Sequence, residues 1–192
     1  MRHALLALPF ALLPLHAAQA ANHEHSHAHA HEEHASLDAH EHGVASLNVA
    51  LDGQTLEIQL QSPAMNLVGF EHEAKSDADK AKVAAARQHL EQPQALFALP
   101  IEAKCALQDS ELDSPLFGGH AHDEHEHADE HGHSDIDASY RFACANAEAL
   151  QTLELGSFFG TFPGTEKLEV QLIGPSGQQG AELTPSNSRL SF

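Results

Sequence analysis

The sequence predicts an α+β fold that is mainly antiparallel β, arranged as a sheet or a sandwich of hairpins with one main helix. Apolar residues alternate with polar ones in several stretches after residue 37, as expected of strands with one buried face. One longer stretch, residues 76–90, has the apolar spacing of a helix instead. Two His-rich tracts, residues 23–34 and 120–133, contain no aliphatic side chain larger than alanine. Such tracts cannot form a packed core, and we expect them to be disordered.

A β-hairpin is predicted over residues 47–60. Apolar side chains alternate over residues 47–51 and again over residues 56–60, and Asp52-Gly53 between them is typical of a hairpin turn. We therefore expect two antiparallel strands that share one apolar face.

The main helix is predicted to begin after Ser76, which can cap its first turn, with Asp77 and Asp79 placed favourably toward the helix dipole. Pro93 marks its end. An irregular segment is predicted at residues 66–73, before this helix. Further strands are predicted at residues 103–112, 136–145, 152–155, 168–172 and 178–183.

Residues 1–20 predict a secretory signal peptide. Arg2 supplies a basic start, residues 4–15 supply an apolar run, and Ala18 and Ala20 are the small residues expected before a cleavage site. The apolar run is shorter than the roughly 20 residues that a membrane-spanning helix needs. We therefore expect cleavage after Ala20, a periplasmic location, and no membrane insertion of the mature chain.

The mature chain is then predicted to have two parts. Residues 21–36 form a disordered His-rich N-terminal tract, and residues 37–192 form a single β-rich domain with a disordered insertion, rich in His, Asp and Glu, at residues 114–135. The whole chain has 28 acidic and 9 basic residues, and its formal net charge is −19 with histidine neutral. That charge argues against nucleic acid or an anionic membrane as a partner and favours cations.

The two His-rich tracts combine imidazole nitrogens with carboxylate oxygens, the donors that zinc and other borderline divalent metals prefer. Ordering a tract around an ion costs conformational entropy, so we expect several weakly bound ions rather than one tightly bound ion. The candidate ligands in the tracts are His23, His25, His27, His29, His31, His34, His120, His122, His125, His127, His131 and His133.

A better-ordered metal site is predicted on the folded domain. His40 and His42 lie at the entrance of the hairpin, and residues two apart on a strand face the same way, so both imidazoles can reach one ion. Glu71 and His72 are the further candidate ligands. A hydrogen-bonded structural role is the alternative for His72.

Cleavage after the signal peptide would leave Ala21-Asn22-His23 as the N-terminus. A free amine, two amide nitrogens that can lose a proton, and an imidazole at the third position can surround a metal in a square plane, which suits Cu²⁺ or Ni²⁺. Copper or nickel sequestration is therefore the alternative function. The competing explanation is that a histidine stands there by chance in a His-rich tract.

Cys105 and Cys144 are the two cysteines of the chain. In an oxidising compartment an even number of cysteines predicts a disulfide. The two flank the second His-rich tract on predicted strands, so the bond would hold both ends of the insertion. In the chain-entropy model it would stabilise the fold by roughly 3–4 kcal/mol. The alternative is a pair of thiolates that bind a metal.

Several short motifs follow one another along the chain. They are His40-Glu41-His42-Gly43 with the hairpin after it, Ser62-Pro63-Ala64, Gly69-Phe70-Glu71-His72, Cys105, the His-rich insertion, Phe162-Pro163 and the Val170-Gln171 strand. Together they resemble the ZrgA-type family of periplasmic zinc-uptake proteins over nearly the whole mature chain. The resemblance implies a zinc-binding periplasmic accessory protein, produced under zinc shortage, that helps to supply a zinc ABC importer.

An enzyme is not predicted. A hydrolase that uses zinc-bound water needs three fixed ligands and an open position, and no HExxH helix is predicted in the sequence. The string His31-Glu32-Glu33-His34 is one residue short of that motif. We expect instead a protein that captures or buffers Zn²⁺ and assists zinc import by delivery to a zinc ABC transporter. A spacer or surface protein whose histidines only add solubility is a further alternative.

Overall fold

The computed structural model describes residues 41–118 and 134–192. Within these ranges the strands are β1 Val44–Asp52, β2 Thr55–Pro63, β3 Cys105–Asp113, β4 Asp135–Cys144, β5 Thr152–Glu154, β6 Lys167–Gly174, β7 Gly177–Leu183 and β8 Arg189–Ser191. The α-helices of the same ranges are α1 Ala64–Val68, α2 Asp77–Leu90, α3 Pro93–Leu96 and α4 Gly156–Thr161. Among these described residues, no helix has the length and apolar character needed to cross a membrane.

Six of the strands form one sheet in the order β3-β4-β2-β1-β6-β7, and β5 pairs with β8 in a separate two-stranded sheet. All of these pairs are antiparallel except β1 with β6, which run parallel. The predicted hairpin is confirmed as β1 and β2, with Val49 opposite Ile58. The predicted fold class, mainly antiparallel β with few helices, is therefore confirmed. The parallel pair, which was not predicted, places β1 in the interior of the sheet.

One face of the six-stranded sheet is buried and the other is polar. Leu47, Ile58 and Phe142 lie on the buried face, in one apolar cluster with residues of α2, α3 and α4. Asn48 and Gln59, on the opposite face, are exposed. The architecture is thus the sheet form of the prediction, with helices covering one side, rather than a sandwich of two large sheets.

Helix α2 begins as predicted, because Asp79 N donates to Ser76 Oγ at 3.0 Å. Its predicted apolar stripe is buried. At its other end the hydroxyl of Tyr140, from β4, donates to Leu90 O at 2.9 Å. Burial raises the pKa of Tyr140, so this hydroxyl keeps its proton and the hydrogen bond. The helix is thereby fixed on the buried face of the sheet.

The predicted irregular segment, residues 66–73, starts within a helix, because Ala64–Val68 form the short helix α1. Five residues are too few to display a helical period in the sequence, which is why the pattern did not reveal it. Gly69 ends the helix with φ +83°. This helix matters for the candidate site because it carries the buried Asn66, whose side chain accepts a hydrogen bond from Gly43, just before β1.

The predicted disulfide is confirmed. Cys105 and Cys144 are bonded, at a sequence separation of 39, and lie opposite each other on β3 and β4. Neither cysteine is free, so the alternative of a metal-binding thiolate pair is wrong. At the start of the predicted insertion, Pro115–Phe117 form a 3-10 turn, capped by Ser114 Oγ, which accepts from Leu116 N.

Candidate metal centre

The described chain begins with a tight turn at His42-Gly43. Gly43 has φ +87°, a left-handed conformation that favours glycine, and Val44 N donates to Glu41 O at 3.1 Å. His42 therefore lies at the entrance of the hairpin, as predicted, but in a turn before β1 and not on the strand itself. The strand argument for a shared face does not apply to His42, and its pairing with His40, which lies outside the described residues, stays a prediction.

Gly43 is held from two sides. Its N–H donates to Asn66 Oδ1 at 2.7 Å. Its carbonyl accepts from Glu166 N at 2.7 Å and from Lys167 N at 2.9 Å. A Cβ atom at this position would also lie 3.4 Å from the side chain of Glu166. The backbone immediately after His42 is therefore fixed in one conformation.

His42 faces a carboxylate that lies 29 residues further along the chain. Its Nε2 is 3.0 Å from Glu71 Oε1, and the side chains are 51% and 12% exposed respectively. In a tetrahedral zinc site, with ligand distances near 2.0–2.2 Å, two donors stand about 3.3 Å apart. A small widening of this pair would therefore admit a zinc ion, and the exposed imidazole gives the ion access.

His72 is adjacent to Glu71 in sequence but makes different contacts. Its Nδ1 lies 3.0 Å from Glu73 O, and its ring stacks on Phe70 with 4.7 Å between the ring centroids. These are the contacts of a structural histidine, the alternative that the sequence left open. Within residues 41–118 and 134–192, no three His, Cys, Asp or Glu side chains are grouped for a metal ion. His42 and Glu71 thus supply two of the donors that zinc requires.

Glu71 also meets the chain where the insertion rejoins the sheet. Ser134 is the first residue described after the second His-rich tract, and its hydroxyl donates to Glu71 O at 3.0 Å. Ser134 O in turn accepts from Ala64 N at 2.8 Å. His42, the second residue described after the N-terminal tract, contacts the carboxylate of the same glutamate. The described residues that follow the two His-rich sequences therefore converge on Glu71.

Three carboxylates stand where the insertion joins β3 and β4. Asp113 lies opposite Asp137 across the two strands, and Asp135 is two residues before Asp137. Burial raises the pKa of Asp137, the charges of Asp135 and Asp113 raise it further, and a hydrogen bond with Gln61 opposes them. This end of the sheet therefore has a negative potential that attracts cations.

Most of the predicted ligands lie outside the described residues and stay predictions. They are His40, His23, His25, His27, His29, His31, His34, His120, His122, His125, His127, His131 and His133, together with the Ala21-Asn22-His23 motif.

Asn66 and Ser134 are residues of the candidate site that the sequence pattern did not reveal. Asn66 interrupts an otherwise apolar run, Ala64–Val68, and that interruption was the one sign of a buried polar role. Ser134 follows the second His-rich tract directly and has no distinguishing pattern around it. Both act through hydrogen bonds to residues distant in sequence, which spacing alone does not show.

Comparison with known proteins assigns the family. None of the curated proteins matches this chain. The family model described as ZrgA family zinc uptake protein matches residues 39–192. The match therefore includes the His42 turn, Glu71, the disulfide and all eight described strands, and it covers well over half of the sequence. The chain belongs to the ZrgA family of zinc uptake proteins.

Proposed function

We propose that this protein binds Zn²⁺ in the periplasm, captures or buffers it, and assists its import. The observation that carries the proposal is the His42–Glu71 pair, in which an exposed imidazole faces a largely buried carboxylate at 3.0 Å. Nitrogen and oxygen donors of this kind suit zinc. Membership of a family of zinc uptake proteins supports the same choice of ion.

His42 and Ser134 both contact Glu71, and this supports different roles for the His-rich sequences and the folded body. The twelve candidate histidines of the two tracts offer many weak positions that capture ions. His42 and Glu71 are already held near ligating distance, so binding there costs less ordering entropy. We propose His40 as a third ligand, with water or a tract histidine completing the coordination. An ion captured on either tract is then passed to the pair.

The later steps of the proposal concern location and delivery. The signal peptide would export the chain, and the protein would pass zinc to a component of a zinc ABC importer without any enzymatic step. Recovery of a periplasmic protein whose intact mass begins at Ala21 would support export. Zinc transfer to the purified substrate-binding component of such an importer, faster than release into buffer, would support delivery.

A titration that resolves individual residues tests the site. Full-length protein without an affinity tag is exposed to buffered free Zn²⁺, and backbone amide NMR signals of Glu71 and its neighbours are followed. We define the zinc midpoint as the free Zn²⁺ concentration at which the Glu71 signal has moved half-way. In His42→Ala we expect this midpoint to rise by at least about a hundredfold, because even residues that only orient a ligand change affinity about 10–100-fold.

The matched control is His72→Ala. It removes a histidine adjacent to Glu71 that contacts Phe70 and Glu73 instead of the carboxylate. We expect its zinc midpoint to stay within about twofold of the parent, since no ligand is lost. Equal midpoints for the parent and His42→Ala, or no zinc-dependent movement at Glu71 in the parent, would contradict the proposed site.

A further inference from the structure

The side chain of Asn66 joins three separate parts of the chain. It lies on α1 and is 3% exposed. Its Oδ1 accepts from Gly43 N at 2.7 Å, and its Nδ2 donates to Val44 O at 2.9 Å and to Ser62 Oγ at 3.2 Å. One buried amide therefore satisfies polar groups at the start of β1 and at the end of β2.

The carbonyl of Gly43 is held by other residues, at and just before the start of β6. Gly43 O accepts from Glu166 N and Lys167 N, while Gly43 N is held by Asn66. The N–H and the carbonyl of Gly43 are thus both engaged, and its φ is +87°. Glycine adopts this conformation without strain, and Asn66 supplies one of the two sets of hydrogen bonds that hold it there.

His42 immediately precedes this clamped glycine. Its side chain is 51% exposed, and the position of the imidazole depends on the backbone that carries it as well as on its contacts. The distance of 3.0 Å to Glu71 Oε1 spans two segments that are 29 residues apart. Asn66 belongs to the helix between β2 and Glu71, so its bond to Gly43 ties the His42 turn to the segment that leads to the carboxylate.

We propose that Asn66, through its hydrogen bond to Gly43 N, is the residue that positions His42 over Glu71 for zinc binding. The inference rests on the proposed function of that pair. Asn66 touches no metal in this scheme, and its role is to hold the ligand turn in the binding geometry before the ion arrives. Groups that orient a metal ligand in this way change affinity by about 10–100-fold when removed.

The test uses the full-length protein, buffered free Zn²⁺ and the NMR zinc midpoint at Glu71. Asn66→Leu keeps a side chain of similar size and removes all three hydrogen bonds. We expect its midpoint to rise by at least about tenfold. The matched control is Tyr140→Phe, which also loses a buried hydrogen bond, to Leu90 O, but away from the His42 turn. Its midpoint should stay within about twofold of the parent.

A second variant covers the case in which Asn66→Leu does not fold. Gly43→Ala disturbs the same turn, because alanine is strained at φ +87° and its Cβ would meet Glu166 at 3.4 Å. We expect a similar rise in the zinc midpoint. An unchanged midpoint in folded Asn66→Leu or in folded Gly43→Ala would overturn the inference, as would an equal rise in Tyr140→Phe.

The outcomes separate this inference from the proposed function. If the parent shows no zinc-dependent movement at His42 or Glu71, the proposed site itself is wrong. If the parent responds and His42→Ala abolishes the response while Asn66→Leu binds as the parent does, the site stands and the positioning role of Asn66 is wrong.

Discussion

The two places where His-rich sequence meets the described body are built differently. At the N-terminal junction, the His42-Gly43 turn is held by backbone and amide hydrogen bonds and carries a half-exposed imidazole. At the insertion junction, the hydroxyls of Ser114 and Ser134 hold backbone carbonyls, and a disulfide ties the two strands together at their far end. The first junction is set by the conformation of one turn, and the second by closure of a loop.

This difference separates the proposed metal-binding role of the N-terminal junction from the attachment of the insertion at the second junction. The described residues of the insertion junction, 114–118 and 134–135, include no imidazole, whereas the N-terminal junction presents one to a carboxylate. Glu71 serves both junctions, with its carboxylate on His42 and its carbonyl on Ser134. We therefore expect changes at the insertion junction to alter stability far more than zinc affinity at His42.

Removal of the disulfide should have the largest effect on stability. In Cys105→Ser/Cys144→Ser the loop is no longer closed over a sequence separation of 39 residues. The chain-entropy model gives a loss of about 3–4 kcal/mol in the free energy of unfolding. Urea denaturation followed by circular dichroism measures it. The zinc midpoint at Glu71 should change less than about twofold under conditions where the variant is folded, and a larger change would break the separation of the two junctions.

Loss of the Ser134 hydroxyl should have an intermediate effect. Ser134→Ala removes the bond to Glu71 O, and the free energy of unfolding should fall by about 1 kcal/mol. The comparison variant Ser114→Ala loses a bond of 2.8 Å to Asp135 O and one of 3.3 Å from Leu116 N at the same junction without touching Glu71. Denaturant midpoints should fall for both variants. A rise in the zinc midpoint confined to Ser134→Ala would show that the insertion junction also supports the metal pair.

Neutralising Asp137 should have the smallest effect on stability, and it should raise the free energy of unfolding where the other changes lower it. Burial and then the charges of Asp135 and Asp113 raise its pKa, so the folded protein holds the proton more tightly than the unfolded chain. Its contribution to stability is therefore lost as pH rises through the folded-state pKa. At pH 7, Asp137→Asn should stabilise the protein by about 0.5 kcal/mol, allowing for solvent screening.

The pH dependence distinguishes this explanation from a packing effect. The stability gained by Asp137→Asn should disappear as the pH falls below the ordinary aspartate range, about pH 4. The carboxyl of the parent is then protonated in both the folded and the unfolded state. Thermal denaturation between pH 3 and pH 8 measures it. Glu111→Gln, which removes an exposed carboxylate from β3, is the control and should change stability less at every pH. A gain for Asp137→Asn that does not depend on pH would contradict the charge argument.

Local sequence signals were sufficient for the elements whose determinants are close together. The hairpin could be predicted because its turn and the alternating apolar residues on either side are contiguous. Helix α2 could be predicted because its cap, Ser76, is followed directly by the carboxylates of its first turn. The disulfide was predicted from the number of cysteines and their flanking positions. By contrast, the parallel pairing of β1 with β6 joins segments more than a hundred residues apart, and no local pattern encodes it.

The candidate site was predicted in its chemistry but not in its geometry. His42 and Glu71 were chosen as metal ligands for their donor atoms, and they are in contact. The strand geometry expected for His42 does not apply, because Gly43 after it adopts a left-handed conformation. His72 adjoins Glu71 in sequence, but its ring nitrogen contacts Glu73 O instead. Asn66 was overlooked because its role depends on a helix of five residues whose partners come from other elements.

The interior position of β1 has a consequence for how an ion could leave. β1 is bordered by β2 on one edge and β6 on the other, so the strand directly after His42 is protected from fraying. Its amide protons should be among the last to exchange with deuterium. In the proposed site, an ion bound at His42 would then leave from the surface while the scaffold beneath it stays folded.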